Sequence, residues 1–110
     1  MPLVTAFNVR RDDPLPEIEE AVRRAMISMP ALEIHEDEVD VVPVHEPDGF
    51  GGVVTRINVD LWEGRSRTKD ALQELAARVA RAFRSVVGED RKVKVVIRPY
   101  DVEKSGWVSF

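Results

Sequence analysis

The chain contains no cysteine, which excludes both a disulfide framework and a thiolate site. Its two histidines, His35 and His45, are too few for a metal centre without carboxylate help, so no metal is expected. Positive charge is not in surplus either. Sixteen lysines and arginines are interspersed with twenty aspartates and glutamates, for a formal charge of −4 at pH 7. That balance offers no basic field for nucleic acid and no polybasic arm for a membrane. A small acidic substrate would have to be met by local arginines. No apolar run approaches the roughly eighteen residues that a membrane span needs, and the amino-terminal stretch has no charged leader, so the expected compartment is the cytoplasm.

What the chain does have begins at its start. Pro2 stands directly behind Met1 and runs into an apolar, β-branched strand, Leu3 to Val9. Proline suits the first residue of a strand because it has no N–H to donate to a ladder. If Met1 is removed, which a small second residue permits, Pro2 becomes a free secondary amine. An α-amino group starts at a pKa of about 7.7–8.0, and apolar surroundings or a neighbouring cation lower it further. Such an amine is partly neutral at physiological pH and suited to general-base work.

Arg10-Arg11-Asp12-Asp13-Pro14 then breaks the strand, offering an acidic cap and a proline near the first turn of a helix. Ile18, Ala21, Val22, Ala25, Met26 and Met29 recur at i, i+3, i+4 spacing, with Glu17, Glu19, Glu20, Arg23 and Arg24 largely opposite; this predicts an amphipathic helix closed by Pro30. After the acidic turn Glu36-Asp37-Glu38, Val39 to Val44 predicts a second strand, which Pro43 assigns to an edge or a bulge. His45 to Gly52 reads as loop, and both histidines are expected in solvent.

The pattern then restarts. Thr55 to Leu61 alternates Ile57, Val59 and Leu61 with Arg56, Asn58 and Asp60, a half-buried strand. Ser66 is placed to cap a helix whose stripe, Leu72, Leu75, Val79, Ala82, Phe83 and Val86, runs through Ala71 to Val87 and stops at Gly88. Lys92 to Arg98 predicts a fourth strand. A βαβ unit is thus written twice, the copies offset by about fifty residues.

The expected fold class is α/β (α+β): tandem β-α-β repeats forming a four-stranded mixed sheet with two helices on one face. The 110 residues make a single domain, with repeat one at 2–44, a loop at 45–54, repeat two at 55–98 and a tail at 99–110. The other face of the sheet is bare and partly polar. Self-association is its natural cover.

Pro2 at the head of the first strand, Glu63-Gly64-Arg65-Ser66 at the end of the third, and Val93-Lys94-Val95-Val96-Ile97 in the fourth together resemble the tautomerase superfamily, over nearly the whole chain. The last of these segments is similar to the closing strand of 4-oxalocrotonate tautomerase. Asp37, His45-Glu46-Pro47 and the ending Gly106-Trp107-Val108-Ser109-Phe110 look closest to the malonate semialdehyde decarboxylase branch. Glu63 stands where that branch has a second arginine, and Met26 where the cis-3-chloroacrylic acid dehalogenase has a histidine.

The resemblance implies a tautomerase/MIF-like homotrimer with sites at subunit boundaries and no cofactor. It implies Pro2 as the catalytic amine and Arg65 as the cation that holds a carboxylate or developing enolate. Read from the residue alone, Arg65 has a bidentate fork at a strand-to-helix junction, which suits that task. Arg11 and Lys94 would add positive charge from the same or a neighbouring subunit, Asp37 would orient water or substrate, and Trp107 and Phe110 would wall the pocket. The expected activity is cofactor-independent tautomerisation of a small 2-oxo or 2-hydroxydienoic acid. Two alternatives stay open: a decarboxylase, dehalogenase or hydratase in which Pro2 remains protonated and activates water, and a trimeric binding module that has lost the reaction.

Overall fold

The structure, a computed structural model, describes residues 2–46 and 54–110; Met1 and residues 47–53 of the expected loop lie outside the described residues. Strands and helices alternate as β1 (Leu3–Phe7), α1 (Leu15–Ile27), β2 (Asp40–Pro43), β3 (Thr55–Trp62), α2 (Lys69–Val87) and β4 (Val93–Tyr100). Two short 3₁₀ turns, Pro30–Leu32 and Glu36–Glu38, lie between α1 and β2. The sheet order is β2-β1-β3-β4. Each helical crossover joins parallel strands, β1 to β2 and β3 to β4, and the two units meet where β1 pairs antiparallel with β3. The sheet is mixed, as the repeat pattern predicts.

Strand alternation divides the side chains between two faces. Val4, Ala6, Ile57, Val59 and Leu61 are buried together with Ile18, Val22 and Met26 of α1 and Leu75, Val79 and Phe83 of α2. Leu3, Thr5, Arg56, Asn58, Asp60 and Trp62 have the opposite parity and belong to the face without helices. Asn58 and Asp60 are nonetheless buried, because β3 is a central strand with neighbours on both sides.

Several local expectations shift by a few residues for identifiable reasons. The cap of α2 is Thr68, whose side chain accepts from the Ala71 N–H, so the helix starts at Lys69 and Ser66 stays in the preceding turn. Helix α1 ends at Ile27, where Ser28 turns both its backbone N–H and its hydroxyl onto the Ala25 carbonyl. Met29 is therefore outside the helix, and Pro30 opens a 3₁₀ turn. Strand β4 continues through Pro99 to Tyr100. An edge strand tolerates the missing N–H of Pro99 where a central one would not. Gly88 ends α2 at φ +112°, a conformation that favours glycine.

The acidic cap expected before α1 is absent: the cap position is Pro14, without a side-chain hydrogen bond. Asp13 is instead drawn to Arg91, which approaches it through Nη2 at 2.6 Å and Nη1 at 3.1 Å. The backbone N–H of Arg10 donates to the same carboxylate at 2.8 Å. Arg91 also donates to Thr55 Oγ1 and stacks 5.9 Å above the Phe83 ring. Both charged side chains are 7 % exposed. The pair staples the turn before α1 to the turn before β4.

Burial alone would raise the Asp13 carboxyl, but the hydrogen bonds from Arg91 and Arg10 and their charges outweigh it and leave its pKa below the usual aspartate value. A depressed carboxylate stabilises the fold above its unfolded pKa of about 3.9, and that contribution disappears as pH falls through the lower folded value. Asp13→Ala, which leaves the buried guanidinium unpaired, is expected to cost about 3–5 kcal/mol in denaturant unfolding at pH 7. Between pH 5 and strongly acidic pH, Asp13→Asn should lose less stability than the wild type; parallel losses would remove the pair from the acid response.

Candidate active site at the Pro2 end of the sheet

Pro2 is buried, one residue beyond the last β1–β3 pair, Leu3 with Asp60. Its carbonyl accepts from the Asp40 N–H at 3.2 Å, which ties the head of β1 to the first residue of β2. Antiparallel pairing brings the far end of β3 here, and with it the connection from Glu63 to Thr68 that carries Arg65. Pro2 and Arg65 therefore share one end of the sheet.

The connection is held by Arg67, which sequence reasoning passed over. Its Nη1 donates to the Trp62 carbonyl at 2.7 Å, while Nε and Nη2 both donate to the Leu32 carbonyl at 3.2 and 3.0 Å. Three hydrogen bonds from one guanidinium pin the end of β3 to the 3₁₀ turn after α1. Arg65, by contrast, is exposed. It lines a hollow of about 470 Å³ with Leu32, Glu33, Glu63, Gly64, Ser66 and Arg67. The two carboxylates of that hollow offset its two guanidinium groups. Glu33 adopts φ +55°, a left-handed conformation uncommon for a residue with a side chain.

On the other side of the shared end, Asp37 lines a shallow hollow of about 700 Å³ with Arg23, Glu36, Val39 and Asp40. Arg23 is fixed there by a hydrogen bond to the Val39 carbonyl at 3.2 Å. A third hollow, of about 450 Å³, opens on the helix-free face and is lined by Leu3, Asp60, Trp62, Tyr100, Ser105, Gly106 and Trp107. Trp107 thus comes to the Pro2 end, whereas Phe110 is fully exposed. Pro2 itself is not among the residues lining these three hollows.

Asp60 is the polar centre of this end. Arg98 grips its carboxylate through Nε at 2.6 Å and Nη2 at 2.9 Å, and the Tyr100 hydroxyl donates to Oδ1 at 3.1 Å. The hydrogen bond to Asp60 pushes the Arg98 pKa above its ordinary value, against a smaller opposing effect of burial. The cluster was visible in principle: Asp60, Arg98 and Tyr100 occupy one face of adjacent strands at registers Asp60–Arg98 and Trp62–Tyr100. Only the register joins them.

Arg11 and Lys94 do not come to this end. Lys94 pairs with Arg56, which pairs with Phe7, and the exposed Arg11 follows β1. Phe7 lies five residue steps along the strand from Pro2, roughly 16 Å at about 3.3 Å per residue. His45, expected in solvent, is half-buried instead, with Nδ1 2.9 Å from the Val9 carbonyl. A carbonyl only accepts, so this contact selects the tautomer with hydrogen on Nδ1. His35 is exposed, as expected.

No family model matches the sequence, and no curated protein matches it. Solved structures do match. A wild-type fused 4-OT, R7, solved as an asymmetric trimer, has a TM-score of 0.75 at 18 % identity, with 96 % of this chain and 92 % of that one covered. FG41 malonate semialdehyde decarboxylase, inhibited by 3-bromopropiolate, has a TM-score of 0.70 at 16 % identity over 98 % of this chain and 90 % of that one. Macrophage migration inhibitory factor of Toxoplasma gondii has 0.65 at 12 % identity, covering 96 % of both. At such identities the likeness is one of fold: the tandem βαβ sheet of this chain is the fold that these three structures share.

Proposed function

We propose that the chain is a cofactor-independent tautomerase acting on a small 2-oxo or 2-hydroxydienoic acid, with Pro2 as the acid and base. The observation that carries this reading is the burial of Pro2 at the head of a central strand, at the same end of the sheet as the turn bearing Arg65. Removal of Met1 would leave an amine at a buried position, and burial disfavours its charged form. The neutral amine takes the proton from the carbon beside the carbonyl. The C–H electron pair becomes the enol double bond, negative charge develops on oxygen, and the ammonium returns the proton at the new position. Arg65 holds the substrate carboxylate or the developing oxyanion.

The active form in this reading is a homotrimer, as the fused 4-OT structures are trimers. With Arg11 and Lys94 at the opposite end of their own sheet, a neighbouring copy is the means of bringing them to Pro2. Asp37 supports a second reading, in which a protonated Pro2 and this carboxylate activate water for decarboxylation or hydration. It lines a hollow next to Asp40, whose N–H bonds Pro2.

Intact-mass measurement should find a chain beginning at Pro2, and light scattering a particle of three times the 12.4 kDa chain mass. In a tautomerisation assay with phenylpyruvate or 2-hydroxymuconate, Pro2→Ala should lower kcat/KM by about 10²–10⁴-fold, the usual worth of positioned acid–base transfer. Equal rates would remove Pro2 from the mechanism. Arg65→Ala should lower kcat/KM for the acidic substrate by roughly 10–100-fold, the worth of a charge-assisted hydrogen bond. Unchanged kinetics would leave Arg65 a surface residue.

A further inference from the structure

Strand β4 is outermost on one side of the sheet and β2 on the other, so each offers an edge with no strand beside it. Between β4 and α2 runs a groove of about 460 Å³, lined chiefly by Leu72, Ala76, Val95, Ile97 and Pro99. Its charged lining residues are Arg67 and Lys69, and no carboxylate lines it. Among the described residues Arg67 bonds carbonyl oxygens but no carboxylate, and Lys69 has no ion-pair partner. Both charges therefore stay uncompensated. From Lys92 to Tyr100 the edge adds Lys92, Lys94 and Arg98 and no acidic residue. Arg98 is taken by Asp60, whereas the two lysines are exposed and unpaired among the described residues.

The opposite edge has the opposite sign. From residue 36 to residue 46 the chain carries Glu36, Asp37, Glu38, Asp40 and Glu46 and no lysine or arginine. All of these carboxylates are exposed, and none has an ion-pair partner among the described residues. Glu36, Asp37 and Asp40 line the hollow at the head of β2, whose one cation, Arg23, bonds the Val39 carbonyl. Backbone pairing selects little here. The N–H groups of Asp40 and Val44 point to β1, so strand alternation turns those of residues 41 and 43 outward, and Pro43 has none to give. Charge is left to choose the partner of this edge.

We propose that the groove along β4 is covered by the β2 edge of a second copy of this chain, with Arg67, Lys69, Lys92 and Lys94 of one copy facing Glu36, Asp37, Glu38 and Asp40 of the next. Like edges reject one another. Two β4 edges set cation against cation, and two β2 edges set carboxylate against carboxylate. The contact is therefore heterologous, and a heterologous contact whose rotation closes makes a ring. Strands β2 and β4 run in opposite directions within the sheet, so their junction extends it antiparallel. This inference rests on the homotrimer of the proposed function and names the surfaces that build it.

Sedimentation velocity of the full-length chain over a concentration series tests it, since mass and not activity is read. Lys69→Glu with Lys94→Glu reverses one edge, and Glu36→Lys with Asp40→Lys reverses the other; all four positions are exposed. Each pair of changes should raise the dissociation constant of the assembly at least about tenfold. The chain carrying all four restores opposite charges across the contact and should assemble within a few-fold of wild type, which also shows that the altered chain folds. A monomeric wild type would overturn the inference together with the homotrimer. A trimer indifferent to both pairs of changes would overturn the inference alone, as would failure of the fourfold variant to regain assembly. Weakening by the β4 pair only would give the groove a different occupant and overturn it too.

Discussion

The antiparallel pairing of β1 with β3 is the constraint on which the functional geometry rests. Each βαβ unit is right for its own parallel pair, but nothing within a unit says how the two should meet. Five register pairs, from Leu3 with Asp60 to Phe7 with Arg56, settle it. They place the head of β1 beside the tail of β3, so that Pro2, Asp60 and the Arg65 turn belong to one end of the molecule. Had these strands run parallel, Pro2 would lie near Thr55, and the turn after β3 would be a strand length away.

That pairing also explains which parts of the structure were legible in the sequence. The helices and strands were, because burial on one face imposes a period of 3.6 or 2 that residues such as Leu72, Leu75 and Val79, or Ile57, Val59 and Leu61, display directly. Pro43 pointed to an edge or a bulge, and β2 is an edge strand. Local choices with a distant competitor were not legible. Asp13 looks like a helix cap, but Arg91, 78 residues away, is a stronger partner for a buried carboxylate than a helix N-terminus. Ser66 and Thr68 are both good caps, and the bonds of Arg67 to Leu32 and Trp62 help fix where the turn ends. Pro99 reads as a break until one sees that it lies on an outer strand.

The same division holds at the site. Sequence reasoning singled out Pro2, Arg65, Asp37 and Trp107, and all four lie at or around one end of the sheet. It gave Arg11 and Lys94 the same destination, and within one chain they stand at the other end. A strand reading orders residues along the chain without saying which ends meet, so cations from both ends looked equally available. Asp60 was recognised only as one polar residue in an alternating strand, since its importance comes from Arg98 and Tyr100 on the strand alongside.

The helix-free face follows from the same energetics. Among the described residues, no buried side-chain nitrogen or oxygen lacks a partner, so this face is a satisfied polar surface and not an exposed core awaiting a greasy cover. Asp60 and Arg98 gain little net stability from their pairing, because taking a carboxylate out of water costs about as much as the pair returns. Apolar residues at both positions would serve folding as well or better. Keeping a buried carboxylate in a central strand gives Arg98 and Tyr100 of the neighbouring strand one fixed partner and so holds their side chains in place. The helix-covered face supplies the stability of the sheet, and the bare face is left free to hold polar groups in fixed positions.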